Sequence, residues 1–532
     1  MIAPERDDVV IVGAGAGGAA AAWRLASAGV SVTCLEQGGW VDHRETPSTR
    51  ADWELARQTT HHPNPNTRAN PWDYPVEQSG AAIKPLMYNA VGGSTLHWGA
   101  HFPRFRPSDF KVRSLDGVAD DWPLSYDDLA PHYEANDRIM GVSGLAGDPG
   151  NPPRGPRQTP PLPIGEGARR LAAAFDRLGW HWWVSDAAIN AAPYGGRGAC
   201  NHCGPCDLGC PTGARSSTDL TYWPLALKAG ARLVTEARVF AIETDPAGRA
   251  TAVAYHDATG APRRIAADRI VLAANGVGTA RLLLLSAGKG HVEGLGNRSG
   301  LVGRRLMHHP TGMATGVFEA PVDGFKGPFA TSILCQEFYE TDRSRGFLRG
   351  FQMQAVRSDG PLGTAVGVYL PRVPWGEGHH ARFREIFGRT ASLTVTTEDL
   401  PREGNRVTLD PDLTDRMGIP APKMTYALDD NTRAMIRFGL GKAETALREA
   451  GAREVVTQDL VTEAGFHLLG TARMGEDPET SVTDPFGRLH DHPNVTVADG
   501  PVFVTAAALN PTPTLQALAL RAADAMLRER GA

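Results

Sequence analysis

The sequence predicts an α/β fold in two lobes, one on a parallel sheet assembled from separated stretches of chain, the other on an antiparallel sheet with flanking helices. Three observations predict it. DVVIVGAGAGGAAAAWRLASAGVSVTCLEQ at 8–37 reads strand, glycine turn, helix, strand; DRIVLAANGVGTARLLLLSAG at 268–288 repeats that grammar; and residues 310–462 change to long alternating runs spaced by Gly and Pro. At 532 residues the chain also exceeds what one hydrophobic core usually serves, so two domains are expected.

In the first unit, 9–12 is the apolar run of a buried strand, and Gly13, Gly15 and Gly18 supply G-x-G-x-x-G where that strand turns into a helix. Gly13 permits the turn, Gly15 lets the backbone approach a pyrophosphate, and Gly18 allows close helix–strand packing, with phosphates on the positive end of the helix. The helix at 19–28 ends at Gly29, and a second strand alternating through Val30, Val32 and Cys34 stops at Glu36, an acidic residue suited to a ribose hydroxyl pair. The motif alone does not choose between NAD and FAD. Residues 61–75 read as surface loops. NAVGGSTLHWG at 89–99 offers backbone N–H groups to a phosphate from a second place.

Further on, a helix is capped near Ser125, with Asp127 and Asp128 in its first turn. Residues 146–163 are a Pro/Gly-rich connection and 171–178 a short helix. Residues 232–244 and 250–257 read as a hairpin, 270–273 as an all-apolar strand, and Thr279 as the cap of a helix at 280–286. The runs TGMATGVFEA, RGFQMQAVR and ASLTVTTED suit an antiparallel sheet, with a helix at 430–450 presenting Met435, Phe438 and Leu447 on one side. The segment 493–527 returns to strand, turn and helix, with Thr512 as N-cap and Pro513 as the first helical residue. That helix start lies beside Asn510, where its positive end suits an anion.

Hydrophobic residues at 42% and charged residues at 21% describe a soluble globular chain, and a net charge of -5 without a long Lys/Arg run gives no sign of a nucleic acid or acidic membrane partner. No apolar run reaches the roughly 18 residues of a membrane segment, and the first strand starts too early for a signal peptide, so a cytoplasmic location is expected. Four of the six cysteines, Cys200, Cys203, Cys206 and Cys210, form C-x2-C-x2-C-x3-C followed by Pro211. That is a ferredoxin-like ligand run, and four thiolates also suit zinc or disulfides. The His pairs at 61–62, 308–309 and 379–380 read as ordinary loop and domain-edge residues.

The chain resembles the glucose-methanol-choline family of FAD oxidoreductases along nearly its whole length. The motifs are the fingerprint at 8–37, VGGSTLHWG at 91–99, GVGTARLLLLSAG at 276–288, HLLGTARMG at 467–475, and VADG with ALNPTPTLQALALRAAD at 497–524. FRPSDFK at 105–111 and DWPLSYDDLAPHY at 121–133 look like its bacterial sugar and gluconate dehydrogenase branch. The resemblance implies a discontinuous Rossmann-like FAD-binding domain (1–165, 215–309 and 463–532), a Cys-rich loop at 196–214 and a substrate-binding domain at 310–462. It implies oxidation of a CH–OH group of a sugar, glycoside or aminosugar, with His467 as base and Asn510 holding the substrate oxygen. Gly13, Gly15, Gly18 and Glu36 would hold the ADP half; Gly92, Gly93, Ser94, Asp499, Gly500, Asn510 and Thr512 match positions near the pyrophosphate and flavin. His97 would lie at the flavin, and since the sugar dehydrogenase branch, which also has His-Trp here, forms no covalent bond, non-covalent FAD is expected. In the sugar dehydrogenase branch an iron-sulfur cluster is bound by C-x5-C-x3-C-P, which Cys200, Cys206, Cys210 and Pro211 fit. The alternatives are a sterol or fatty alcohol oxidase, or the flavin subunit of an electron-transfer complex. Oxygen or a redox partner would take the electrons.

Overall fold

The computed structural model describes residues 6–328 and 332–531. Its first sheet runs in the order Arg232–Val234, Val32–Leu35, Arg6–Val12, Pro262–Leu272, Ala250–His256, Arg238–Thr244. The strand Pro262–Leu272 is shared. Its first half pairs antiparallel with Ala250–His256, and its second half lies parallel to both Arg6–Val12 and Val495–Val497. Val9 and Ile11 pack in one core with the helices Ala16–Ala26 and Thr512–Gly531, and Val10 and Val12 in a second core on the other face, which is why the strand reads as a continuous apolar run. The helix Ala16–Ala26 packs on Thr512–Gly531 and Tyr222–Lys228. Gly18 lets that helix close on the strand turn, since a Cβ there would stand 2.0 Å from the Gly13 carbonyl oxygen.

The second sheet is antiparallel throughout, in the order Ala452–Gln458, Thr311–Phe318, Thr390–Thr397, Phe351–Val356, Ile333–Cys335, Trp182–Val184. The helices Asp430–Glu449 and Glu166–Leu178 cover one face. Strand alternation sorts the side chains. Ala314, Phe318, Phe351, Met353, Leu393 and Val395 pack with Met435, Leu440 and Leu447 in one core, and Gly439 lets the helix close to the sheet, where a Cβ would come 2.4 Å from Val395 Cγ1. The opposite face carries Gln352, Thr396 and Thr311 in one register row, and Gln354, Thr394, Met313 and Gln458 in the next.

Several elements differ from the reading of the sequence. Residues 232–244 are two strands at opposite edges of the first sheet, split at Glu236, whose φ of +56° turns the chain. The helix expected at 280 starts one turn earlier, as Asn275–Leu285. Asn275 caps it by accepting the Val277 and Gly278 N–H groups on Oδ1, and Thr279 lies inside. Thr512 is already helical. The cap at Ser125 forms as a reciprocal pair: Asp128 Oδ2 accepts the Ser125 N–H (2.8 Å) and Ser125 Oγ accepts the Asp128 N–H (3.4 Å). No helix among the described residues is long and apolar enough to cross a membrane.

Candidate active site

One cavity of about 730 Å³ runs from the first glycine turn to the polar face of the second sheet, within the range of small-molecule and cofactor sites. At one end Gly13, Gly15 and Ala16 line it. The helix Ala16–Ala26 begins at Gly15 with no side chain capping it, so its first-turn N–H groups and positive end remain for an anion. A Cβ on Gly15 would meet only Gly93 Cα, at 4.0 Å, whereas one on Gly93, whose φ is +54°, would stand 2.9 Å from Gly15 Cα. The two glycine loops touch, and the floor between them is bare backbone. Ser94 lines the same stretch and its Oγ accepts the Tyr88 N–H.

Glu36 is buried at the cavity edge, where Ala14 N–H donates to Oε2 (2.8 Å) and Gly38 N–H to Oε1 (2.9 Å), leaving a second lone pair on each oxygen for hydroxyl donors. Burial pushes its carboxyl up to about 7 against those two bonds. Asp499 ties the turn after Val495–Val497 to the helix Asn275–Leu285, accepting from Asn275 N–H (2.7 Å) and Gly500 N–H (2.8 Å), and burial pushes it up to about 6. Thr512 and Asn510 line the cavity from the start of the last helix. Gly18, Gly92 and Gly500 stand behind the wall as close-packing positions; a Cβ on Gly500 would come 2.6 Å from Leu468 O.

At the other end His467 is half-buried in the cavity wall. Its Nδ1 lies 2.8 Å from Nδ1 of His309, whose Nε2 lies 2.9 Å from Ala507 O and 3.1 Å from Ala506 O. Carbonyl oxygens only accept, so His309 carries its proton on Nε2 and presents a lone pair at Nδ1. His467 therefore donates from Nδ1, and its Nε2 keeps a lone pair. Burial holds His467 well below the ordinary imidazole range, helped by His309, His308 and His101, and takes His309 down to about 4. Both rings are neutral at pH 7. Asn510 is held by its carbonyl end, with His101 Nδ1 at 2.7 Å and Gln352 Nε2 at 3.1 Å from Oδ1, so its amide N–H donors stay uncommitted. His309, His101 and Gln352 escaped sequence reasoning. Only Gln352 left a trace, sharing with Gln354 the polar face of a strand.

His97 is buried beside Tyr88, with ring centroids 4.0 Å apart; its Nδ1 has no partner among the described residues, and burial takes its imidazole down to about 3. The turn carrying it is pinned by buried Arg215, whose guanidinium donates to the carbonyls of Thr95 (2.7 Å), Leu96 (3.0 Å) and Trp98 (3.3 Å). Arg215 follows the Cys-rich loop directly.

Among the described residues the Cys-rich loop shows no gathered set of metal ligands of the kind its spacing suggests: no three of His, Cys, Asp or Glu gather where one ion could bind them. Cys210 Sγ accepts the Arg215 N–H and Cys200 Sγ the His202 N–H. Cys203 is exposed and Cys206 opens the turn Cys206–Leu208. The loop instead brings Asp207, ion-paired with Arg57, to the cavity wall.

A glycine-lined end open to an anion, continuous with an imidazole and an anchored amide, is an arrangement able to serve a dinucleotide-dependent alcohol oxidoreductase. The chain belongs to the GMC oxidoreductases: the models of that family match residues 173–311 and 401–519, and a NAD(P)-binding Rossmann-like domain matches 11–70. It is 44% identical to 2-methyl-1,2-propanediol dehydrogenase of Mycolicibacterium austroafricanum, over 98% of this chain and 96% of that one. It is 32% identical to the fructose dehydrogenase large subunit of Gluconobacter japonicus (98% of each chain), and 33% identical to 6'''-hydroxyparomomycin C oxidase of Streptomyces lividus (98% and 91%). Formate oxidase of Aspergillus oryzae shares the fold, with a TM-score of 0.66 at 17% identity over both whole chains. The protein is thus an FAD-dependent alcohol oxidoreductase, and the bare-backbone floor and open space at Gly15 fit that cofactor.

Proposed function

We propose that the chain oxidises a CH–OH group of a small polyhydroxylated alcohol, the class running from vicinal diols to sugars and aminosugars, with His467 as base and Asn510 holding the reacting oxygen. The observation that carries this is the fixed tautomer of His467: its Nε2 lone pair is uncommitted on the wall of the cavity that also holds the Asn510 amide. A neutral imidazole accepts the hydroxyl proton without first losing one, and an amide donor binds the oxygen without competing for the proton. When bound, FAD would supply the hydride acceptor. Gly13, Gly15, Glu36, Gly93, Ser94, Asp499 and Thr512 would hold it without a covalent bond to His97. On this reading 1–165, 215–309 and 463–532 make the FAD-binding domain and 310–462 the substrate-binding domain.

The substrate class follows from the face opposite the dinucleotide end. Thr311, Gln354, Thr394, Thr396 and Gln458 line it, with Met313 and Val356 between them. A site built to hydrogen-bond hydroxyls rejects analogues lacking them far more strongly than an apolar pocket rejects an added methylene. Relatives named for a diol, a sugar and an aminoglycoside agree with that polarity. The test is anaerobic flavin reduction across a panel of diols, sugars, aminosugars, fatty alcohols and sterols. The polar compounds should bleach the flavin, and His467→Ala should keep the flavin while slowing the bleach by roughly 10²–10⁴-fold. Bleaching by sterols or fatty alcohols alone would refute the substrate class, and an undiminished rate in His467→Ala would refute the base. Admitting air afterwards shows whether oxygen is the acceptor.

A further inference from the structure

We propose that His309 and His467 form a proton-sharing pair, in which His309 receives at Nδ1 the proton that His467 gives up as its Nε2 takes one from the substrate; this rests on the reading of His467 as base. His309 Nε2 faces two carbonyl oxygens, so it stays protonated in every state, and Nδ1 is the only atom of that ring free to titrate. That atom lies 2.8 Å from the Nδ1–H of His467. The step balances. The substrate O–H bond breaks and His467 Nε2–H forms; His467 Nδ1–H breaks and His309 Nδ1–H forms. One proton enters the pair, the oxygen's electron pair stays with the substrate, and the positive charge comes to rest on His309.

The surroundings favour that resting place. Ala507 has a left-handed backbone, φ +57°, and the carbonyls of Ala506 and Ala507 both converge on His309 Nε2–H, where they strengthen as the ring becomes cationic. His467 has no such acceptors: the charged or titratable groups acting on it are His309, His308 and His101. His308 stands edge-on to Tyr426, which donates to Asp399, and His101 is committed to Asn510. No carboxylate is bonded to either ring of the pair among the described residues, so the two carbonyls are the only fixed negative poles available. Sharing moves the charge one ring away from the reacting carbon while the orientation of His467 is kept.

His309→Gln separates sharing from orientation. A glutamine can accept the His467 Nδ1–H through its oxygen and donate to the carbonyls through its nitrogen, yet it takes no proton. The variant should bind FAD normally with a substrate KM close to that of the parent. Its anaerobic flavin reduction should slow at least about 10-fold, and the acid limb of its pH–rate profile should move to lower pH, because His467 must then carry the charge alone in a buried site. A parental rate and an unmoved limb would overturn the proposal. His467→Ala run in parallel distinguishes the failures: a fast His467→Ala removes the base itself, while a slow His467→Ala beside a fast His309→Gln removes only the sharing. Histidine ¹⁵N spectra of the unaltered holoenzyme give a second measure. On acidification His309 Nδ1 should change from acceptor to protonated; protonation confined to His467 Nε2 would refute the proposal.

Discussion

Replacing Asp399 by Asn should remove a pH dependence of stability while leaving the site intact. Asp399 Oδ2 accepts the His308 N–H (2.9 Å) and the Tyr426 hydroxyl (2.7 Å), which fixes the backbone that presents His309. Asparagine retains an acceptor oxygen for both donors and does not titrate. Burial pushes the Asp399 carboxyl up to about 7. In the unfolded chain it titrates near its reference value of about 3.9. A folded value above the unfolded one means stability fully present below that lower value and lost as the pH rises through the upper one. Between pH 5 and pH 8 the two values correspond to a loss of about 2.5 kcal/mol. With about 2.1 cal/mol/K of unfolding entropy per residue, 532 residues make that roughly 2 °C in Tm. Thermal unfolding of FAD-saturated parent and Asp399→Asn at the two pH values reads the difference, and Glu36, Asp109 and Asp499, which burial also raises, cancel because both proteins carry them. The variant should lose about 2 °C less than the parent. Parallel losses would refute the reasoning, showing that Asp399 is not held protonated by the fold.

Gln352→Leu removes one of the two donors on Asn510 Oδ1 and should lower kcat/KM by about 10-fold with FAD retained, the effect of one lost hydrogen bond of about 1–1.5 kcal/mol; an unchanged value would show that His101 alone orients the amide. Gly93→Ala places a Cβ 2.9 Å from Gly15 Cα and should lower the flavin-to-protein ratio of the purified protein, whereas full occupancy would show that the two loops part readily. Acid precipitation should leave the flavin in the supernatant; flavin in the pellet would mean a covalent bond, with His97 the first residue to examine.

Where a residue's role is set by its immediate neighbours in the chain, the sequence was enough to read it. Gly13, Gly15 and Gly18 sit at the spacing that strand, turn and helix impose, and the alternation of FQMQAV and SLTVTT shows which side chains share a face. His309 had no such signature. Its partner lies 158 residues away and its carbonyl acceptors nearly 200, so nothing near HHP distinguishes it from an edge-of-strand histidine. The cysteine run poses the opposite problem. Its spacing is local and permits ligation, but Cys200 and Cys210 each take a backbone N–H on sulfur, and such commitments appear only once the loop is folded. Thr279 lost the helix cap to Asn275 because the strand's end places Asn275 at a left-handed turn, with φ of +60°, where its side chain reaches two N–H groups at once.

The strand Pro262–Leu272, with Arg6–Val12 on one side and Val495–Val497 on the other, sets a timetable for cofactor loading. During synthesis the glycine turn at Gly13 emerges almost first and Asn510 and Thr512 nearly last, so on the proposed reading the cofactor would meet half of its site through most of translation. The intervening lobe can fold on its own schedule while the dinucleotide sheet waits for its late strand, since domains mature as units as the chain emerges. A chain that stops short of Val495 would lack the strand that pairs with Ile270–Leu272 and the helix that packs on Ala16–Ala26.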